Sequence, residues 1–389
     1  MRRRPFNVRD ERGMVLILVG ASFLALMSAA MLAIDVGMFM VARTESQKSA
    51  DSGALAGAVA LVFDNYDDRT PTGPAVQNAI AAATSTQNAV VNAQVSVIPA
   101  DVTFPATDRI SVRVQRSTAR GNPLLTLLAP MIGINSVDIG AVATAKVSPA
   151  DAATCLKPWA IPDKWDERHT PQWDPSDTLE MFYENGPNKG KPLPNPDRYT
   201  HYEPNPNAYT GFRSSRQGPD YGTQMVLKPG SPSGAINPSQ FFPIRLPGGT
   251  GASYYESNIS GCWPGEAEVG DSITVEPGSM TGPTTSGVQD LIDRDPNAFW
   301  DTAKREVVSQ IRPSPRIIVI PVFDPYVYES ARQTGATDIK IANFVGFFLE
   351  GLQGNTVTGR MVPMTGLISN NGGGPAPTGA FLQAIQLVE

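Results

Sequence analysis

From Met14 to Ile34 the chain carries no charged residue. At about 1.5 Å per helical residue that run spans roughly 30 Å, the thickness of a bilayer's hydrocarbon core. A secretory signal peptide has a shorter apolar core and a small-residue cleavage site that leads into a polar mature start. Here the run is full length and the residues after it read as more helix, which favours a retained anchor. Arg2, Arg3, Arg4, Arg9 and Arg12 precede the run, whereas only Arg43 and Lys48 lie close behind it. The positive-inside rule therefore puts the N-terminus in the cytoplasm and the bulk of the chain outside.

Composition enters where it bears on that exterior part. Charged residues are 17% of the 389 and the formal net charge is −6, a balance that does not suggest a nucleic-acid surface. Gly and Pro number 35 each, which points to many turns and short strands. Cys155 and Cys262 both lie beyond the apolar run, where oxidation is permitted. A bridge between them would close a loop of about a hundred residues, worth roughly 4–5 kcal/mol in the chain-entropy description. Two unpaired buried thiols are the alternative.

The helix holds more than hydrophobicity. Ala21, Ala25, Ala29, Ala33 and Gly37 recur every fourth residue, and after Val41 and Glu45 the same register resumes at Ser49, Gly53 and Gly57. Small residues at that spacing let helices approach closely in a membrane, where packing drives association. Chance in an Ala-rich helix is the plainer account, and a period of four drifts against 3.6, so a seam would cover part of the helix only. Asp35 falls at the outer end of the run, where interfacial water would solvate it. No proline interrupts Ala42 to Val62, so one rod of about fifty residues is expected.

At this point the residues resemble a known family. Glu11-Arg12-Gly13, the apolar run, Ala33-Ile34-Asp35-Val36-Gly37, a polar turn at Arg43 to Gln47, and Ala50-Asp51-Ser52-Gly53-Ala54-Leu55-Ala56-Gly57-Ala58 together resemble the N-terminal domain of TadG-like proteins of the tight-adherence (Flp) pilus system. The resemblance covers about fifty residues. It implies a pseudopilin-like or accessory component of adhesion and secretion machinery, bound to the bacterial inner membrane or to the pilus. Implied partners are membrane lipid, other Tad or pilin-like subunits and pilus machinery. In pilins cut by a prepilin peptidase, cleavage follows a Gly and the fifth mature residue is Glu. Gly13 and Met14 supply a candidate processing site, but the fifth residue onward is Leu18, which favours an assembly or anchoring factor over a filament subunit.

The α+β organisation expected beyond the helix has two parts. In residues 63–150, a helix over Ala75–Val90, strands over Gln94–Ile98 and Arg109–Gln115, an apolar turn of helix at Leu124–Ile132 and a strand over Val137–Val147 resemble the small pilin-like unit of TadE- and TadG-like proteins. In Arg109–Gln115 the alternation of Ile110, Val112 and Val114 with polar residues marks a half-buried strand. Residues 151–389 read as a β-rich, loop-rich extracytoplasmic domain. Between 156 and 260 loops dominate, but Trp159, Trp165, Trp173, Phe182, Tyr183, Phe241 and Phe242 argue for order. Strands are expected at Ser272–Glu276, Arg316–Phe323, Asn343–Glu350 and Asn355–Pro363, with helices at Gly287–Arg294 and Pro296–Gln310. The expectation is a mixed sheet with peripheral helices. Residues 1–13 form the basic cytoplasmic segment and 14–62 the helix.

Chemistry has little purchase. His169 and His201 are the two histidines, neither with zinc-ligand spacing around it. There is no G-x-S-x-G elbow, P-loop or dinucleotide fingerprint. Asp174-Pro175-Ser176-Asp177-Thr178 approaches the metal motif of von Willebrand type A domains, but no apolar strand precedes it, and it reads as a loop. Asp163, Asp166, Glu167, Asp174 and Asp177 would suit calcium, with solvated loop charges as the better account. The expectation is therefore a non-enzymatic component with no cofactor, no metal and no catalytic residue. A surface adhesin or glycan-binding protein and, more weakly, an extracytoplasmic hydrolase are the alternatives.

Overall fold

The computed structural model of the chain describes residues 11–63, 68–91, 93–169, 174, 177–203, 207–213, 220–231, 234–311, 313–333, 338–369, 376–377 and 379–388. The basic run from Arg2 to Arg9, Trp173, and Pro175 and Ser176 of the metal-like motif lie outside them. Two compact units result: the first takes the chain through Lys146 apart from Val62–Tyr66, together with the residues after Ile385, and the second takes Val147–Ile385 together with Val62–Tyr66.

The first unit starts with one unbroken helix, α1 (Glu11–Phe63). A second helix, α2 (Pro74–Ala83), opens on a proline, whose missing N–H costs nothing in the first turn, and buries Ala75, Val76, Ala79 and Ala83. It stops short of the expected Val90. The Thr84 hydroxyl donates to the carbonyl of Ile80 at 2.7 Å, and Thr84-Ser85-Thr86 gives the backbone hydrogen-bonding alternatives to a further helical turn.

Strands β1 (Val102–Ala106), β2 (Arg109–Arg116), β3 (Leu124–Leu125), β4 (Ser136–Val137) and β5 (Ile139–Pro149) follow. β2 pairs antiparallel with β1 on one side and β5 on the other. Its alternation is as expected, with Ile110, Val112 and Val114 fully buried. The strand expected at Gln94–Ile98 reduces to a single bridge, Ser96 to Gln115. Its place beside β2 is taken by β1, which carries Pro105 at the sheet edge, where a missing N–H leaves no ladder bond unmade. The apolar turn of helix expected at 124–132 is a loop instead. Leu124 and Leu125 pair with Val137 and Ser136, and a short 3-10 turn covers Ala129–Ile132.

The second unit holds β6 (Ala152–Thr154), β7 (Trp159–Pro162), β8 (Gln224–Pro229), β9 (Gln240–Pro243), α3 (Ala252–Ser260), β10 (Glu266–Glu268), β11 (Ser272–Thr274) and α4 (Thr281–Arg294). β12 (Phe299–Asp301), β13 (Glu306–Val308), β14 (Ile317–Phe323), α5 (Pro325–Gln333), β15 (Asp338–Gln353), β16 (Thr356–Val362), β17 (Met364–Thr365) and β18 (Leu382–Val388) complete the chain. The expected mixed sheet closes on itself. Strands run in the order β15, β14, β7, β9, β8, β16, and β16 pairs back onto β15, giving a six-stranded barrel. The β14–β7 and β9–β8 pairs are parallel and the rest antiparallel.

Alternate residues of every barrel strand fill its interior. Trp159, Ile161, Met225, Leu227, Phe241, Ile318, Ile320, Val345, Phe347, Val357 and Met361 belong to one buried cluster. A barrel this narrow has room for side chains and nothing else. Gly359 shows how tight the fit is, since a Cβ there would meet the Phe347 ring at 2.4 Å. The opposite set, including Ala160, Phe242, Val319, Phe323, Ile341 and Phe344, packs outward against α5 and the long loops.

Two further differences from expectation concern local structure. The helix expected at Pro296–Gln310 is the hairpin β12–β13, with Phe299 opposite Val308 and Asp301 opposite Glu306. The Asp301 carboxylate closes its turn by accepting the N–H groups of Ala303 and Lys304. The helix expected from Gly287 begins earlier, at Thr281. Cys155 and Cys262 form a disulfide with Cα atoms 4.5 Å apart, across 107 residues of sequence.

Candidate functional site

Two kinds of surface run along α1. Over residues 13–34 the apolar side chains that the structure describes stand clear of the protein, with Leu16 75% exposed and Phe23, Leu26 and Leu32 comparable, and between 36 and 41 only Met38 and Phe39 are partly covered. This is the one described helix long and apolar enough to cross a membrane. From Ala42 onward the helix turns into core: Ala42, Ala50, Ala54 and Ala58 are fully buried.

The ladder of small residues divides at the same place. Ala21, Ala25, Ala29, Ala33 and Gly37 are exposed. Ser49, Gly53 and Gly57 are buried within the chain itself. The Ser49 hydroxyl donates to the carbonyl of Ala83 at 2.7 Å. A Cβ on Gly53 would lie 3.0 Å from both the Ala79 carbonyl oxygen and the Ala83 methyl, and one on Gly57 would meet the Ile110 side chain at 2.4 Å. These three positions let α2 and β2 approach α1, as small residues let any two elements approach.

Asp35 finds protein where interfacial water was expected. It is 3% exposed, and its carboxylate accepts the backbone N–H groups of Leu127 at 2.9 Å, Leu128 at 3.1 Å and Ala129 at 2.7 Å. Those donors open the 3-10 turn of the apolar loop between β3 and β4. A carboxylate satisfied this way needs no water, and the loop is tied to the helix at the end of its uncharged run. Nothing in the local sequence around Asp35 points to this partnership, because the donors lie more than ninety positions away. Gly13 is exposed, with open space around it, and Met14 is exposed too.

In the second unit the residues singled out for chemistry have other work. Trp159, Trp165, Phe212, Phe241 and Phe242 are core, while Phe182 and Tyr183 are partly buried. The five acids considered for calcium scatter among separate partners. Asp163 is fully buried and accepts from the Tyr199 and Tyr209 hydroxyls and the N–H groups of Lys164 and Phe212. Burial, resisted by those donors, pushes its carboxyl up to about 6. Asp166 pairs with Arg168 at 2.6 Å, and Asp177 accepts the N–H of Asp174 at 2.6 Å.

Glu167 alone of the five joins a polar cluster. His169 Nδ1 lies 3.5 Å from Glu167, 3.3 Å from Glu180 and 3.2 Å from Asp197. One ligand atom from each of Glu167, His169 and Asp197 falls within 4.8 Å of the others, a spacing compatible with a cation. The two carboxylates already accept from the N–H groups of Arg168, His169 and Glu180, which accounts for the grouping as a loop clamp. Burial first, and then neighbouring Glu167, pushes Asp197 up to about 6. His201 sits elsewhere, its Nδ1 2.9 Å from Asp324, and that hydrogen bond raises its pKa.

The most distinctive surface of the molecule is thus the bare half of α1 with the apolar loop bound at its end. No curated protein matches the chain, and no solved structure matches it. A family model does match, and it falls on this helix: residues 13–60 match Tad, described as "Putative Flp pilus-assembly TadE/G-like".

Proposed function

We propose that the protein is a non-enzymatic, single-span component of a Tad/Flp-type pilus assembly or secretion system. It is held in the bacterial inner membrane with its N-terminus in the cytoplasm and acts through helix packing and extracytoplasmic contacts. The observation that carries this reading is that the Tad match coincides with the helix whose first half is bare and apolar. A face of that length has a natural solvent in lipid, and its small residues from Ala21 to Gly37 are left free for a neighbouring helix such as another Tad or pilin-like subunit.

The Cys155–Cys262 bridge supports the orientation, because disulfides persist in oxidising compartments and the cytoplasm is reducing.

The test is to replace residues 13–41 with an unrelated membrane-spanning helix in the native host. The expected outcome is loss of pilus assembly with the protein still in the membrane fraction. Normal assembly with the foreign helix would sink the packing role. Mass spectrometry of the N-terminal peptide adds the processing state: an intact start upstream of Gly13, confined to membranes, fits an assembly factor, whereas a start at Met14 in sheared surface material makes the protein a processed minor subunit.

A further inference from the structure

The loop between β3 and β4 is as apolar as the helix it is tied to. Residues 121–137 contain no charge. Leu125 and Leu127 are 68% and 66% exposed, and Ile134 is exposed beside them. Exposed leucines at a loop tip are costly in water, at roughly 25 cal/mol for each Å² of apolar surface left uncovered. The loop is nonetheless well built. Besides the β3–β4 pair, Thr126 donates its N–H to Asn135 at 3.2 Å and its hydroxyl to the Ile134 carbonyl at 2.5 Å. The charges that flank it are engaged at its base: Arg120 pairs with Asp101 at 3.0 Å, and Asp138 accepts the N–H and hydroxyl of Thr118.

The position of the loop is set by Asp35. Its three hydrogen bonds fix Leu127–Ala129 against α1 one residue past the uncharged run, within a few residues of the exposed Leu32, Ile34 and Met40 along the helix. Loop and helix therefore each present exposed apolar side chains close to the point where the three hydrogen bonds join them. The same bonds remove the obstacle to immersing the loop. A lone carboxylate and unpaired N–H groups are each expensive in lipid, and here they satisfy one another.

We propose that the loop from Leu124 to Ile134 inserts into the outer leaflet of the bilayer beside α1, so that the protein meets lipid through a helix and a second, shallow foot. The proposal rests on the reading of α1 as a membrane span.

The test uses the full-length chain, with its disulfide intact, in vesicles of phosphatidylcholine and phosphatidylglycerol. A polarity-sensitive fluorophore is attached to a single added cysteine in Leu127→Cys, in Leu24→Cys within the span, or in Thr103→Cys on the exposed face of β1. Quenching is read against lipids carrying a nitroxide at a shallow or a deep acyl position. The expected result is blue-shifted emission at position 127 with stronger quenching from the shallow nitroxide, quenching at position 24 by the deep one, and neither at position 103. Quenching at 24 with position 127 behaving like 103, or blue-shifted without quenching because protein covers it, would overturn the foot and leave the span standing. No quenching at 24 would overturn both. In the Leu127→Cys chain, adding Asp35→Ala is expected to abolish the shallow quenching while leaving the Leu24→Cys signal of its own Asp35→Ala counterpart unchanged; retained shallow quenching would show that Asp35 does not set the loop's depth.

Discussion

The two halves of α1 share a ladder of small residues and have opposite surroundings. Residues 13–41 and 42–61 both carry small residues every fourth position, both are rich in alanine, and no proline separates them. Yet the second half packs one face against α2 and β2, while the side chains described for residues 13–34 are exposed and Asp35 meets its loop. The difference teaches that a ladder of small residues marks permission for close approach and does not say what approaches. For Ser49, Gly53 and Gly57 the chain supplies its own partner.

The largest effect that sharpens this contrast is expected at Gly57. Gly57→Leu forces a branched side chain into a space bounded by Ile110, the Ala75 carbonyl and Ala79, and overpacking of that kind costs about 3 kcal/mol. Urea unfolding of the full chain in detergent measures it; an unchanged midpoint would break the claim that this half is wrapped.

Asp35→Ala comes next. It leaves the N–H groups of Leu127, Leu128 and Ala129 without their acceptor, at about 2 kcal/mol for polar groups stranded away from water. Faster amide exchange at 127–129 in micelles is the expected signature, with exchange in the barrel strands unaltered. Ser49→Ala removes one hydrogen bond to Ala83 and should lower stability by about 1 kcal/mol in the same urea experiment.

The smallest effect on stability belongs to Ala29→Leu, on the open face, where a change below about 0.5 kcal/mol is expected. Its effect appears instead in cysteine crosslinking between neighbouring helices in native membranes, which should fall because the added bulk holds the backbones apart. Unchanged crosslinking there, together with a lost midpoint in Gly57→Leu, would mean that only the wrapped half of the ladder has a partner.

What the sequence disclosed and what it concealed follow a physical line. The uncharged run, the alternation in β2 and the buried run of β14 are local patterns, written by residues within one element, and all three are in the structure. The barrel is different in kind. Its β15–β16 pair is a local hairpin, but its closure depends on partners far apart in sequence, such as Val322↔Ile161 and Val357↔Leu227, and on short strands such as Trp159–Pro162 and Gln240–Pro243. These short strands are too brief to stand out from loop composition, and no local pattern states which distant strand each will pair with. Proline at 105 disguised β1, and Phe299 to Val308 resembled a helix because a two-sided hairpin with a charged turn has no strict alternation. Asp35 was legible as an unusual acid, but its partners were not, since hydrogen bonds from backbone N–H groups leave no mark on the identity of the donor residues.

The long helix also has a mechanical side. α1 is continuous over 53 residues, which at about 1.5 Å each makes a rod of roughly 80 Å. It is gripped along its outer part by α2 and β2 and has no proline or broken turn at which to bend. A pull on the folded part of the first unit is therefore handed down the helix axis as tension in a single hydrogen-bonded column, and a twist is handed down with it, so the bare half behaves as the shank of a bolt rather than the slack of a tether.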